Sequence, residues 1–313
     1  MGIDHLTMLD VSPSEMVAIA RAAGFDSVGI RVNASAPSEQ PWPMTVGSPM
    51  LEETIRRLND TGVRMLDVEV VRLLPDTARE DYEHTLEVGA RLGARYVSVN
   101  SDDPDIERAS DTFAAMTAAA RHYGLRPVIE PITYTQVSNL EEAVYVAERS
   151  GGGGILLDVL HFQRYSGKIE QLRSVDPRLL SYIQLCDAPL ASPTRLPRPR
   201  KLPRGQSTDG GDLQLESRAM RLLPGDGELP LSEILAALPT GIPVSVEAPV
   251  MSLWETLPPV EFARRARQAV ANLIPSGMRA HPNRRSGEQN AGQGLMNGGP
   301  IGSRYHDESR PVG

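Results

Sequence analysis

Eight short apolar runs, each followed by a stretch with helical spacing and recurring roughly every 30 residues, constrain this 313-residue chain more than any other feature. Alternation of this kind builds a parallel sheet whose strands are joined by crossover helices. The runs are His5–Leu9, Ser27–Val32, Arg64–Leu73, Tyr96–Ser101, Arg126–Ile132, GILLDVLHF from Gly154, LLSYIQLCDAP from Leu179 and PVSVEAPV from Pro243. Several are continuous in Ile, Leu and Val rather than alternating, as expected of strands buried on both faces. The intervening segments carry their own punctuation. Ser12-Pro13-Ser14-Glu15 opens the first helix with a capping Ser and an early Pro, Asn139 caps a later one, and Gly24, Gly62, Gly93 and Gly124 stop four of them.

Eight such units favour an α/β fold of the closed (β/α)8 TIM barrel type over an open doubly wound sheet. No G-x-G-x-x-G follows the first strand, as a dinucleotide-binding sheet would require. The reading is one barrel domain over residues 1–275, with a Pro/Ser-rich loop from Asn33 to Pro49, an inserted Pro/Arg-rich loop over 189–217, and a disordered tail over 276–313 that is rich in Gly, Asn, Ser and Arg. A net charge of −8 excludes the basic stripe of a nucleic-acid binder. No apolar run reaches membrane-spanning length, no leader-like segment opens the chain, and the lone Cys186 cannot form an internal disulfide. The expectation is therefore a cytoplasmic protein with no membrane and no nucleic-acid partner.

In a barrel, groups at the carboxyl ends of the strands converge on one mouth. Glu130, Asp158, Gln184 and Glu247 stand at such ends on strands five to eight, one per strand. Buried carboxylates repel one another and are costly without compensation, and a bound cation is one way to supply it. Three carboxylates and an amide carbonyl suit one hard divalent ion, Mg²⁺ or Mn²⁺ first and Co²⁺ as an alternative. His161, three residues after Asp158, is a candidate acid or base over the same mouth. Asp187 is expected to orient a ligand, Arg218 and Arg221 before the PGDGE turn suit a carboxylate or phosphate, and Glu69 and Arg72 are placed by their strand end. Cys186 reads as core, and no nucleophile elbow or phosphate loop is present.

Taken in order, VIEP with Glu130, the D-x-x-H of Asp158 and His161, QLCDAP with Gln184 and Asp187, the PGDGE turn and VSVEAP with Glu247 resemble the xylose isomerase-like TIM barrel superfamily of sugar phosphate isomerases and epimerases, over about residues 1–275. The resemblance implies one divalent metal held by Glu130, Asp158, Gln184 and Glu247, with Glu130 and Glu247 as the acid/base pair. The usual third ligand there is a histidine, where this chain has Gln184. That glutamine, its DAP and the S-R-x-x-R-x-x-P-G-x-G-E segment are similar to the 3-dehydroshikimate dehydratase branch, which implies proton transfer by His161 and substrate contacts from Arg72 and Arg221. The expected activity is a metal-dependent isomerase or epimerase that removes a proton next to a carbonyl of a polyhydroxylated substrate through an enediolate. A dehydratase-type lyase is the alternative, and a non-catalytic binding barrel the further one. The expected partner is a small sugar, cyclic polyol or keto acid, and a homo-oligomer stays open. The nuclease branch needs a His-rich metal cluster, and this chain has six histidines, two of them in the tail.

Overall fold

The structure is a computed structural model that describes residues 1–274; the tail expected over 276–313 lies outside the described residues. Eight parallel strands close into a barrel in sequence order. They are β1 (Gly2–Ile3), β2 (Ser27–Arg31), β3 (Arg64–Leu73), β4 (Tyr96–Ser101), β5 (Arg126–Ile129), β6 (Gly154–Asp158), β7 (Leu180–Leu185) and β8 (Val244–Val246), and β1 pairs with β8 to shut the cylinder. Around them run α1 (Pro13–Ala23), α2 (Pro49–Thr61), α3 (Arg79–Leu92), α4 (Ile106–Arg121), α5 (Leu140–Arg149), α6 (Val159–Arg164), α7 (Ile169–Ser174), α8 (Asp212–Ala219), α9 (Leu231–Ala237), α10 (Met251–Trp254) and α11 (Pro259–Leu273). Local chemistry sets the helix ends. Ser12 and Glu15 form a reciprocal capping box on α1, and Gly24, Gly62 and Gly93 close α1, α2 and α3 in the left-handed conformation that glycine adopts without a Cβ clash.

One expectation fails at the start of the chain. His5–Leu9 is not the first strand; His5–Met8 forms a short 3-10 helix, and the strand is Gly2–Ile3. The apolar run misleads because His5, Leu6, Met8 and Leu9 are all buried, so burial leaves no period to distinguish strand from turn. Gly2 belongs in the sheet for want of a side chain, since a Cβ there would lie 2.9 Å from the hydroxyls of both Ser27 and Ser245. The core divides in two. The large cluster lies between strands and helices, while Leu66, Tyr96, Val128, Leu156 and Tyr182 fill the barrel interior, with the Tyr96 and Tyr182 rings stacked at 5.2 Å. That aromatic pair plugs the amino-terminal end of the cylinder.

The stretch over 189–217 is an irregular excursion as far as Gly211, apart from a 3-10 turn at Pro203–Gly205. Its last residues, from Asp212, instead begin α8. Prolines stop after Pro203, and Leu215 and Ala219 give that helix a face that packs on Leu202. The excursion reaches back to the loop after β2. The Arg204 guanidinium sits 4.0 Å above the Trp42 ring, its backbone N–H donates to Asp10, and the Gln206 amide donates to Glu39 Oε2 at 2.9 Å. At its other end a buried Arg164–Glu216 pair at 2.7 Å fastens α8 to α6.

Candidate active site

The carboxyl ends of the strands surround a cavity of about 360 Å³, lined among others by Glu69, Arg72, Glu130, His161, Gln184 and Glu247, with Arg218 and Arg221 entering from α8 and the turn after it. Strand register explains the convergence. Asp158 pairs with Gln184 across β6 and β7, Glu247 follows the last residue of β8, and Glu130 follows the last residue of β5, so the four stand at one level of the barrel.

Within that level the charges are handled unequally. Arg221, buried to 1% exposure, donates to Asp158 Oδ2 at 2.7 Å, pairs with Glu247 Oε2 at 2.9 Å, and also donates to the carbonyls of Ser217 and Glu247. Asp158 caps α6 through the Leu160 N–H. Burial alone would raise its pKa, but the Arg221 guanidinium, with His161, holds the carboxyl below its ordinary range. Glu130 has no side-chain hydrogen bond or ion pair among the described residues. Burial first, and then the charges of Glu247 and Asp158, push its pKa well above the ordinary value. Glu247 is raised as well, by burial, despite Arg221. Gln184 donates from Nε2 to Glu247 Oε1 at 3.2 Å, and its buried Oε1 has no partner among the described residues.

Ligand atoms of Glu130, Asp158 and His161 lie within 4.8 Å of one another. Together with the orphaned Gln184 carbonyl and the unpaired Glu130 carboxylate, this donor set fits a hard divalent cation, with Arg221 already balancing part of the negative charge. His161 sits in α6, 3.9 Å from Asp158. Its Nδ1 faces Thr133 Oγ1 at 3.3 Å, and its ring meets the edge of Tyr134. Burial lowers its pKa to about 4, which keeps the imidazole neutral at pH 7.

Of the residues expected to touch substrate, Arg72 lines the cavity and pairs with Asp102, and Glu69 lines it and pairs with Arg31 at 3.0 Å. Arg218 lines it with no ion-pair partner among the described residues. Asp187 is placed elsewhere. Both of its oxygens are taken by backbone N–H groups of Ala188, Gly225 and Leu229, so it clamps the PGDGE turn instead of facing a ligand. Gly227 is required there, because a Cβ would lie 2.4 Å from Asp187 Oδ1. Sequence reasoning passed over Arg31, Asn100, Tyr134, Gln206 and Ser217, all on the cavity wall. Only Arg31 carried a signal, a charge closing an apolar strand in the manner of Glu130.

Comparison with known proteins bears on this geometry. The profile of the xylose isomerase-like TIM barrel family matches residues 17–273. No curated protein matches the chain. Among solved structures, the chain superposes on a xylose isomerase-like TIM barrel/4-hydroxyphenylpyruvate dioxygenase fusion protein with a TM-score of 0.68 and 19% identity, over 87% of its own length but only 42% of the fusion. It superposes on the IOLI protein with a bound zinc atom at a TM-score of 0.68 and 17% identity, covering 90% and 99% of the two chains. The probable 3-DHS dehydratase AsbF from Bacillus anthracis gives a TM-score of 0.62 at 10% identity, covering 87% and 98%. At these identities the likeness is one of fold.

Proposed function

The chain belongs to the xylose isomerase-like TIM barrel family, and from that premise we propose that it is a divalent-metal-dependent isomerase or epimerase that removes a proton next to a carbonyl of a small polyhydroxylated substrate. The observation that carries this reading is the unpaired Glu130 carboxylate facing the cavity beside Glu247. A base must hold a proton tightly enough to take it from carbon, and Glu130 is raised in that direction by burial and by its acidic neighbours. Glu247, steadied by Arg221 and Gln184, is the second acid/base group.

Glu130, Asp158, Gln184 and Glu247 are the residues that would hold the metal. The chemistry a hard divalent cation supplies there is Lewis-acid stabilisation of the negative charge that develops on a substrate oxygen as the neighbouring C–H proton leaves. The excursion strapped across the mouth by Gln206 and Arg204 keeps water away from the enediolate. Arg72 and Arg218 orient the substrate from the wall. The single cysteine, buried and free, agrees with a cytoplasmic setting.

A second reading rests on Arg218. An arginine on the wall without an ion pair is suited to an anionic substrate group, and the neutral His161 is suited to take or return a proton, as in a dehydratase-type lyase acting on a cyclic keto acid. The two readings separate when the metal-loaded protein is incubated in deuterated water with a panel of ketoses and with 3-dehydroshikimate. Deuterium entering an intact ketose supports the isomerase or epimerase, and loss of water from the keto acid supports the lyase. Glu130→Gln lowers exchange by at least about 100-fold. A wild-type protein that retains no stoichiometric divalent ion and shows neither exchange nor loss of water leaves only the binding barrel.

A further inference from the structure

A second group of carboxylates lies deeper in the barrel, below the level just described. Asp4 follows β1 and Asp67 and Glu69 lie on β3. They are 0%, 0% and 2% exposed, and ligand atoms of the three lie within 4.8 Å of one another. Each is held in the same way. One oxygen is anchored by a donor: Ser245 Oγ on Asp4 Oδ1 at 2.6 Å, the Tyr182 hydroxyl on Asp67 Oδ2 at 2.8 Å, and Arg31 Nε on Glu69 Oε2 at 3.0 Å. The other oxygen of each, Asp4 Oδ2, Asp67 Oδ1 and Glu69 Oε1, is fully buried and has no partner among the described residues. Three orphaned carboxylate oxygens in one small volume are costly unless something positive or a proton stands among them.

The backbone makes room for them. Gly29 on β2 faces the cluster, and a Cβ there would lie 2.5 Å from both Asp4 Oδ1 and Asp67 Oδ1 and 3.1 Å from Glu69 Oε1. No other residue at this position leaves the three side chains where they are. The charges also set the guest. Among the described residues, the only guanidinium beside the three carboxylates is that of Arg31, which is shared with Glu39 at 3.2 Å, so at least a double negative charge is left over; the donors are all oxygen, which selects a hard divalent ion over zinc. Glu69 belongs both to this cluster and to the cavity wall, which makes it the residue the two share.

We propose that Asp4, Asp67 and Glu69 form a second divalent-cation site beneath the active-site floor, separate from the set that contains Glu130. Tyr182 and Ser245 hold its carboxylates in place, and Gly29 is the reason the three can meet.

The experiment counts Mn²⁺ bound to the chelator-stripped full chain by electron paramagnetic resonance, in wild type, Asp67→Asn, Asp4→Asn and Glu130→Gln, with folding checked by circular dichroism. The expected result is two Mn²⁺ on wild type. Glu130→Gln retains the deep ion, and either aspartate variant weakens it by more than about 100-fold while keeping the other. A single ion on wild type that disappears in the aspartate variants but survives in Glu130→Gln supports the deep site and counts against the metal set proposed above. A wild-type stoichiometry unchanged in a folded Asp67→Asn or Asp4→Asn protein overturns the site, and the carboxylates then share protons instead. Should Asp67→Asn fail to fold, Asp4→Asn carries the same test, and the Glu130→Gln count alone decides the matter if it shows no bound Mn²⁺.

Discussion

Replacing Arg221 with Met tests how the upper carboxylate level is compensated. The guanidinium is almost wholly buried and serves two acids at once, Asp158 at 2.7 Å and Glu247 at 2.9 Å, besides two backbone carbonyls. Methionine fills much of the volume but leaves both acids without their counter-charge. Removing one partner of a buried pair costs about 3–5 kcal/mol, because the group left behind has already lost its water. With two acids stranded but each free to take up a proton, the expected loss is near the middle of that range, about 4 kcal/mol. At about 2–4 °C per kcal/mol for a chain of this order of size, the melting temperature falls by roughly 8–16 °C. The assay is thermal unfolding followed by circular dichroism at pH 7 with chelator present, so that no bound ion masks the change. Adding Asp158→Asn to the Arg221→Met protein removes one stranded charge and recovers at least about 1 kcal/mol. A loss below about 1 kcal/mol in the single variant, with no recovery in the double, refutes the argument that this arginine neutralises the site.

Three other outcomes follow from particular residues. His5 accepts the Arg31 N–H on Nδ1 and donates from Nε2 to the Val11 carbonyl, and burial lowers its pKa to about 4. The unfolded chain takes up this proton near pH 6.5 while the folded one declines it. Its contribution is therefore intact above that pH and drains away towards pH 4, by about 3 kcal/mol in all. Wild type should lose that much more stability than His5→Asn between pH 7 and pH 4 in urea titrations, and parallel curves would remove His5 as the cause. Gly29→Ala drives a methyl into the anchored Oδ1 of Asp4 and the orphaned Oδ1 of Asp67 and should destabilise by about 1–3 kcal/mol, read from the urea midpoint. Gln206→Ala unfastens the excursion from Glu39 and should leave the melting temperature within about 2 °C while speeding proteolysis within 189–211 in limited trypsin digests; an unchanged digestion rate removes that bond as the fastening.

Much of the architecture was legible because it is written in local terms. Runs such as SVGIRV, RMLDVEVVRL and YVSVNS are strands in the structure, and Ser12, Asn139, Gly24, Gly62 and Gly93 cap their helices as expected, whereas α4 ends at Arg121 with His122 as its cap and Gly124 follows in the turn. A two-residue strand such as Gly2–Ile3 carries too little pattern to read, and the buried His5–Leu9 run beside it outshone it. The level of Glu130, Asp158, Gln184 and Glu247 was readable from strand ends alone. The choice Arg221 makes was not, since its acids lie 63 and 26 positions away along the chain and only closure of the barrel brings them to it. Asp187 shows the opposite case: a polar residue at a strand end whose bonds serve a turn. The deep trio went unseen because Asp4 and Asp67 look like ordinary polar residues until Gly29 and Tyr182 are placed beside them.

The stacked Tyr96 and Tyr182 rings give the cylinder a stopper at one end. The cavity lies towards the other end, among the carboxyl ends of the strands. An ion held by Asp4, Asp67 and Glu69, as proposed, would leave more slowly while a substrate lies against Glu69 on the cavity wall, and its escape rate would then report that occupancy.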